Sequence, residues 1–420
     1  MNFLQFIQTF RDRKGAYILF ASLATRLVSF IVSLLVIHLL TKKEYGYITY
    51  AFTIIAFVLP FMGAGIHQGL LRFGALCNSQ LEKKYFFQLC LKRGLLSSLV
   101  LMLLLIIVTP FFTQELTRSA FYLYLLSFQF IGLLLFVMVE VYARLLHINL
   151  LFAQMEILSS LCLLIFNVSL CYLFGGPGYI VSVISVPFFV GLYYFFKLNL
   201  HHKIKPPTLP KFKTKELIKY GLYVSIGNVL AQLLFAVDIL IIGNLLKEAE
   251  LVAQYKASSI IPFNLLILSR AILATDFVKL SRASKDNKNY LKSYYWNYFK
   301  IFCAISLGVL LFFYFFSEEV LLLFGKEYQD EPQLMFIFTC GIVGGMLFRV
   351  PLGNLLSAIG WPKTNAVISV IVLFLNTLGS YWMVQKYGLT GAAIVTSSLM
   401  WVSGLMCLGA FLYFLKKESA

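Results

Sequence analysis

Six basic residues fall inside the apolar stretches of this 420-residue chain: Arg26, Arg72, Lys256, Arg270, Lys300 and Arg349. A charged side chain near the centre of a bilayer costs about 2.5–3.5 kcal/mol on insertion scales, so such residues call for a reason. A guanidinium holds phosphate bidentately, and several arginines converging from different helices would suit a phosphate or pyrophosphate group in a water-filled cavity. The other reading is a set of structural ion pairs. Acids at comparable depth are Asp238, Glu156 and Glu140, with Asp276 at the inner end of its stretch. The interior is therefore net cationic, and pairing alone does not balance it. Arg26, Arg270 and Arg349 lie deepest. Arg72 and Lys300 lie near one end of their stretches, within snorkelling reach of the interface. Lys256 lies just inside the opposite end and is ambiguous. Asp238 could couple to a cation or proton, or could neutralise a nearby lysine or arginine.

Other chemistry finds no support. The seven cysteines are scattered in apolar stretches without CxxC spacing, so neither a disulfide framework nor a metal site is indicated. His38, His67 beside Gln68, and His147 are isolated and read as structural residues near helix ends. No serine, histidine and carboxylate set is visible, and no G-x-x-x-x-G-K-[ST] loop, so covalent catalysis and ATP hydrolysis have no basis. No cofactor is expected beyond H+ or Na+ as a coupling ion.

The elements that must carry these charges follow from composition. The chain is 60% apolar and 13% charged, against about 45–50% and about 25% for soluble domains. An all-α polytopic membrane protein is the expectation, with about twelve spans at roughly 20 apolar residues each. They are drawn at 15–40, 47–77, 87–112, 119–143, 150–174 and 179–198, then 220–246, 251–277, 294–316, 334–358, 364–386 and 389–415. This gives an N-terminal six-helix lobe (1–198), a basic linker (199–219) and a C-terminal six-helix lobe (220–420). The net charge of +17 does not indicate nucleic acid. About 23 basic residues fall in one set of connecting segments and about 6 in the other, as the positive-inside rule expects. Both termini are thereby placed in the cytoplasm. The start, residues 1–17, reads as a cytoplasmic amphipathic lead-in and not as a cleaved signal peptide.

A faint repeat supports the division. IHLLTKKEYGYITYAF from Ile37 matches IGNLLKEAELVAQYKAS from Ile242, each joining the first two spans of its half. Six spans per half give parallel repeats about an axis along the membrane normal, a transporter arrangement. The second span of each half is expected to be interrupted, by Pro60 and Gly63 in one and Pro262 in the other, which points to a binding cavity.

FAVDILIIGNLLKEAELVAQYKASSIIPF from Phe235, LLLFGKEYQDEP and then KYGLTGAAIVTSS from Lys386 resemble segments of polysaccharide exporters of the multidrug/oligosaccharidyl-lipid/polysaccharide superfamily. LLTKKEYGYITYAF resembles that family's first external turn. The ordered set is similar to Wzx-type flippases of undecaprenyl-pyrophosphate-linked O-antigen or capsule repeat units. The resemblance implies a V-shaped bundle whose first, second, seventh and eighth helices line a central cationic cavity. It implies alternating access in a bacterial inner membrane, driven by ion gradients or potential, beside polysaccharide polymerase and chain-length machinery. By helix position, Arg26, Arg72, Lys256 and Arg270 carry over as candidates for binding the pyrophosphate. Arg349, on the tenth span, is off the lining helices in that picture. Three alternatives stay open: a drug/cation antiporter, which should show mid-membrane acids; an O-antigen polymerase or ligase, which should show a large external loop; and a scaffold recruiting glycosyltransferases.

Overall fold

The computed structural model describes residues 15–77, 79–202, 214–286 and 288–417. The first fourteen residues and most of the basic linker thus lie outside the described residues. Among those described, the chain is helical throughout, with no strand. The helices are α1 (Gly15–Leu39), α2 (Lys42–Val58), α3 (Ile66–Gly74), α4 (Gln80–Phe112), α5 (Arg118–Ser127), α6 (Gln129–Leu145) and α7 (Asn149–Lys197). They continue as α8 (Thr214–Leu246), α9 (Ala249–Asp286), α10 (Lys288–Leu322), α11 (Pro332–Gly344), α12 (Val350–Ala358) and α13 (Pro362–Lys417). Among the described residues, eight helical segments are long and apolar enough to cross a membrane.

Helix starts follow local chemistry. Thr41 and Ser79 each accept a hydrogen bond from the backbone N–H three residues on, at Glu44 (3.2 Å) and Glu82 (3.1 Å). Both are the S/T-x-x-E pattern that satisfies the free amides of a first turn.

Two helices are too long for one crossing. Residues 150–197 and 363–416 would extend about 72 and 80 Å at 1.5 Å per residue, against a hydrocarbon core of about 30 Å. Each breaks at one glycine with a left-handed φ, Gly175 (φ 63, ψ −142) and Gly388 (φ 55, ψ −136). Cross-contacts show that the chain reverses there. The Ser182 hydroxyl donates to the Asn167 side chain, 15 residues away, and that of Thr396 lies 3.5 Å from Asn376 Oδ1, 20 residues away. In straight helices these partners would be about 22 and 30 Å apart.

The interrupted pair expected from Pro60/Gly63 and Pro262 is only half present. Between α2 and α3 the backbone leaves the helix at Met62, Gly63 and Ala64. In contrast, α9 continues through Pro262. A proline removes one donor and one backbone bond, which a membrane helix tolerates, whereas Gly63 and Gly65 admit left-handed φ values that end the helix outright. A second irregularity, a π-turn at Gly345–Arg349, joins α11 to α12.

The helices fall into two compact units, residues 1–229 and 230–420. The division lies inside α8. Before it, Gly221 and Ser225 pack against the broken segment between α2 and α3, and Leu217 packs against Gly69 of α3. In the second unit a buried cluster of Tyr295, Leu352, Leu355, Leu356 and Phe411 holds α10, α12 and α13 together.

Candidate functional site

The most elaborate polar cluster lies in the second unit around Asp238. This residue sits on α8 in an apolar run and is 2% exposed. Its Oδ2 accepts from the Tyr255 hydroxyl of α9 (2.9 Å) and from the Thr396 hydroxyl, and its Oδ1 accepts from Ser380 Oγ (2.8 Å). Ser380 and Thr396 stand on the two arms of the α13 hairpin, and Asn376 Oδ1 lies 3.1 Å from Ser380 Oγ. Thus the Gly388 reversal builds the site by returning Thr396 to the level of Asn376 and Ser380.

A buried carboxylate is tolerated only when charge or hydrogen bonds replace its water. Here neutral hydroxyls do so, and no cation partner of Asp238 is found among the described residues. Five oxygen-bearing side chains, one of them acidic, meet there. The alternative reading, in which Asp238 merely neutralises a lysine or arginine, finds no such partner among the described residues. Sequence reading singled out Asp238 but missed Tyr255, Asn376, Ser380 and Thr396. One signal was available, since Asn376 and Ser380 are four apart, on one face of an otherwise apolar stretch.

The basic candidates occupy separate surroundings. Arg72 ends α3, is exposed, and sets its guanidinium 4.4 Å above the Tyr220 ring and 5.7 Å from that of Phe73. Lys256, next to Tyr255 on α9, is partly buried, with no carboxylate partner among the described residues. Arg270 is exposed on the same helix, and Lys300 is exposed on α10. The side chain of Arg26 lies outside the described residues.

Arg349 leaves the π-turn, and its guanidinium donates to Asn365 Oδ1 (2.6 Å) and Ser369 Oγ (2.8 Å) and lies 3.5 Å from the Cys407 thiol. It is held by neutral partners, not by an acid. Among the remaining acids, Glu140 of α6 and Glu156 of α7 meet carboxyl to carboxyl. In the first unit, Glu44 Oε1 accepts from Tyr122 Oη (2.7 Å) and the Gly176 N–H (3.1 Å). Among the described residues no cluster of three His, Cys, Asp or Glu suited to a metal is present.

Comparison with known proteins gives a consistent result. Residues 35–331 match the family described as polysaccharide biosynthesis protein. The chain is 24% identical to the capsular polysaccharide biosynthesis protein CapF of Staphylococcus aureus, over 96% of this chain and 98% of that protein. It is 29% identical to a protein named as an O-antigen transporter in Shigella flexneri, over 47% of this chain and 49% of that protein, so that match spans about half of the relative. Among solved structures, an inward-facing multidrug resistance MATE family transporter of the MOP superfamily superimposes with a TM-score of 0.71 at 16% identity, covering 94% of this chain and 96% of that one. The lipid II flippase MurJ, in an inward closed conformation, superimposes with a TM-score of 0.69 at 17% identity, covering 94% and 89%. With its sequence matching over residues 35–331 and its fold that of the MOP exporters, this multi-pass membrane chain belongs to the polysaccharide biosynthesis protein family.

Proposed function

We propose that this protein is a flippase that moves an undecaprenyl-pyrophosphate-linked oligosaccharide, an O-antigen or capsular repeat unit, from the cytoplasmic to the outer leaflet. The observation that carries the reading is a polysaccharide-family sequence on the fold of a lipid flippase and a drug exporter. Twelve crossings in two six-helix lobes forming a V, both termini in the cytoplasm, and a bacterial inner membrane belong to the same proposal. So does work beside a polysaccharide polymerase and chain-length machinery.

In this reading the polyprenyl tail stays in lipid while the charged head crosses. Arg26, Arg72, Lys256, Arg270 and Arg349 are the candidates that replace water around the pyrophosphate, the arginines through paired N–H donors. Membrane potential assists, since about 2.3 kcal/mol per charge per 100 mV favours anions leaving a negative interior. Asp238 with its hydroxyl partners would bind H+ or Na+ as the coupling ion. The chemistry is transfer of a bound lipid, with no bond made or broken.

A second reading, a drug/cation antiporter, is favoured by the MATE fold and by the buried acid at Asp238. Proteoliposomes loaded with an undecaprenyl-pyrophosphate-linked oligosaccharide separate the two. Wild-type flipping that is abolished in Arg26→Ala and Arg270→Ala supports the flippase and its cationic path. Flipping that survives both changes removes those arginines from the path. Absence of flipping, with export of a cationic dye, makes the antiporter the better reading.

A further inference from the structure

The irregular turn between α2 and α3 is gripped from two sides by the same small pattern. On one side stand Gly94 and Ser98 of α4, on the other Gly221 and Ser225 of α8, each a glycine followed four residues later by a serine. The glycines permit close backbone approach. Gly94 Cα lies 3.3 Å from the position of a Cβ at Gly63, and a Cβ on Gly221 would come within 2.6 Å of the carbonyl oxygens of both Ala64 and Gly65. The serines satisfy backbone groups that the broken helix sets free. Ser98 Oγ accepts from the Gly63 N–H (2.9 Å), and the Ser225 hydroxyl donates to the Pro60 carbonyl. One turn toward the start of α8, Leu217 fills the space over Gly69 and is 1% exposed, and Arg72 stacks over Tyr220.

Freed backbone groups inside a membrane must be paired by protein, because lipid offers no partner. The turn is also strained, with the non-glycine Ala64 at φ 53. Its broken form therefore depends on Gly221 and Ser225 being in place. If that part of α8 withdrew, the Pro60 carbonyl would lose its donor, and segment 59–65 would gain by closing into regular helix. The two grips differ in one respect. The Gly94/Ser98 side comes from a helix wholly within the first compact unit, whereas α8 leaves that unit at residue 229 and goes on to carry Asp238.

We infer that residues 217–225 of α8 form a releasable latch on the Met62–Gly65 turn, and that docking of the latch and unwinding of the turn are two faces of one bistable element. Transport, on the flippase reading given above, requires the latch to open.

The latch is tested without transport by thiol labelling of the full-length protein in detergent, with the native cysteines other than Cys171 replaced. A water-soluble maleimide should react slowly with Leu217→Cys. Adding Ser225→Ala should raise that rate about tenfold, the size expected for leaving a buried carbonyl unpaired. Ser225→Thr should restore protection, and the buried Cys171 should stay protected throughout. An unchanged rate in Ser225→Ala overturns the latch, as does equal loosening at Cys171. The link to transport is tested by a Gly69→Cys/Leu217→Cys disulfide. Flipping should fall tenfold or more on oxidation and return on reduction. Full flipping by the oxidised pair refutes latch opening as a step and leaves the flippase reading intact. If the reduced pair and wild type both fail to flip, the flippase reading is at fault and the labelling still decides the latch.

Discussion

The hairpins of α7 and α13 are two versions of one construction. Each is an apolar helix turned back at a left-handed glycine, Gly175 or Gly388, with an asparagine on the first arm meeting a hydroxyl on the second. In α7 the pair is Asn167 and Ser182, both buried and both neutral. In α13 the corresponding pair, Asn376 and Thr396, is joined by Ser380 and Tyr255 around the carboxylate of Asp238. At the Gly175 turn of the first hairpin, Glu44 of α2 ties Tyr122 to the Gly176 amide. The difference teaches what a buried charge requires in this fold. One hydroxyl holds a hairpin closed, whereas a carboxylate needs several donors converging from α9 and both arms of α13.

The strongest way to break the comparison is to place an acid in the first hairpin. Asn167→Asp keeps the shape but faces a single hydroxyl, so it should destabilise the protein by roughly 3–5 kcal/mol, the order found for an uncompensated buried charge. Thermal unfolding in detergent would read this as a large drop in Tm. An unchanged Tm would mean that water or an unseen donor reaches the first hairpin too.

Next in size is removal of the charge from the second hairpin. Asp238→Asn should fold normally yet lower ion-driven flipping by about tenfold or more, since coupling energies of 1–3 kcal/mol correspond to roughly 5–150-fold. Comparison of flipping with and without an imposed H+ or Na+ gradient would show which ion is coupled. Equal gradient dependence in wild type and variant would reduce the cluster to a structural one.

Tyr122→Phe tests the contrast at the Gly175 turn. It removes one of the two bonds to Glu44 and should cost about 1 kcal/mol of stability, with flipping nearly unchanged. The smallest effect is expected at Arg72→Ala, where the contact with the Tyr220 ring contributes about 0.5–1 kcal/mol at an exposed site. A much larger loss of flipping than of stability in that variant would place Arg72 on the substrate path.

Much of the fold was legible in composition and periodicity. Apolar runs of about 20 residues, separated by polar turns, must become membrane helices because each backbone group can be satisfied within its own segment. The Thr41 and Ser79 starts follow from a four-residue pattern alone. Pro262 shows the limit of such reading, since a proline gives the same signal whether its helix breaks or continues. At 62–64 the break needed Gly63 and Gly65, and it also needed Ser98 and Ser225, which lie 35 and 165 residues from their partners.

The candidate site divides in the same way. Asp238 and the intramembrane basic residues stand out in the sequence because charge is costly in lipid and therefore conspicuous. Their surroundings do not stand out. Serine, threonine, tyrosine and asparagine are cheap enough in membrane helices to be common, and only the reversal at Gly388 shows that Thr396 and Asn376 share one carboxylate's neighbourhood. Arg349 illustrates the same point, because its neutral partners Asn365, Ser369 and Cys407 come from the two arms of a hairpin. The sequence by itself determined that this is a multi-pass helical membrane protein with charges inside it, since hydrophobicity and charge are properties of single residues. Tertiary structure decided which charges are held, by what, and where a helix breaks, since those depend on partners brought together only when the chain folds back.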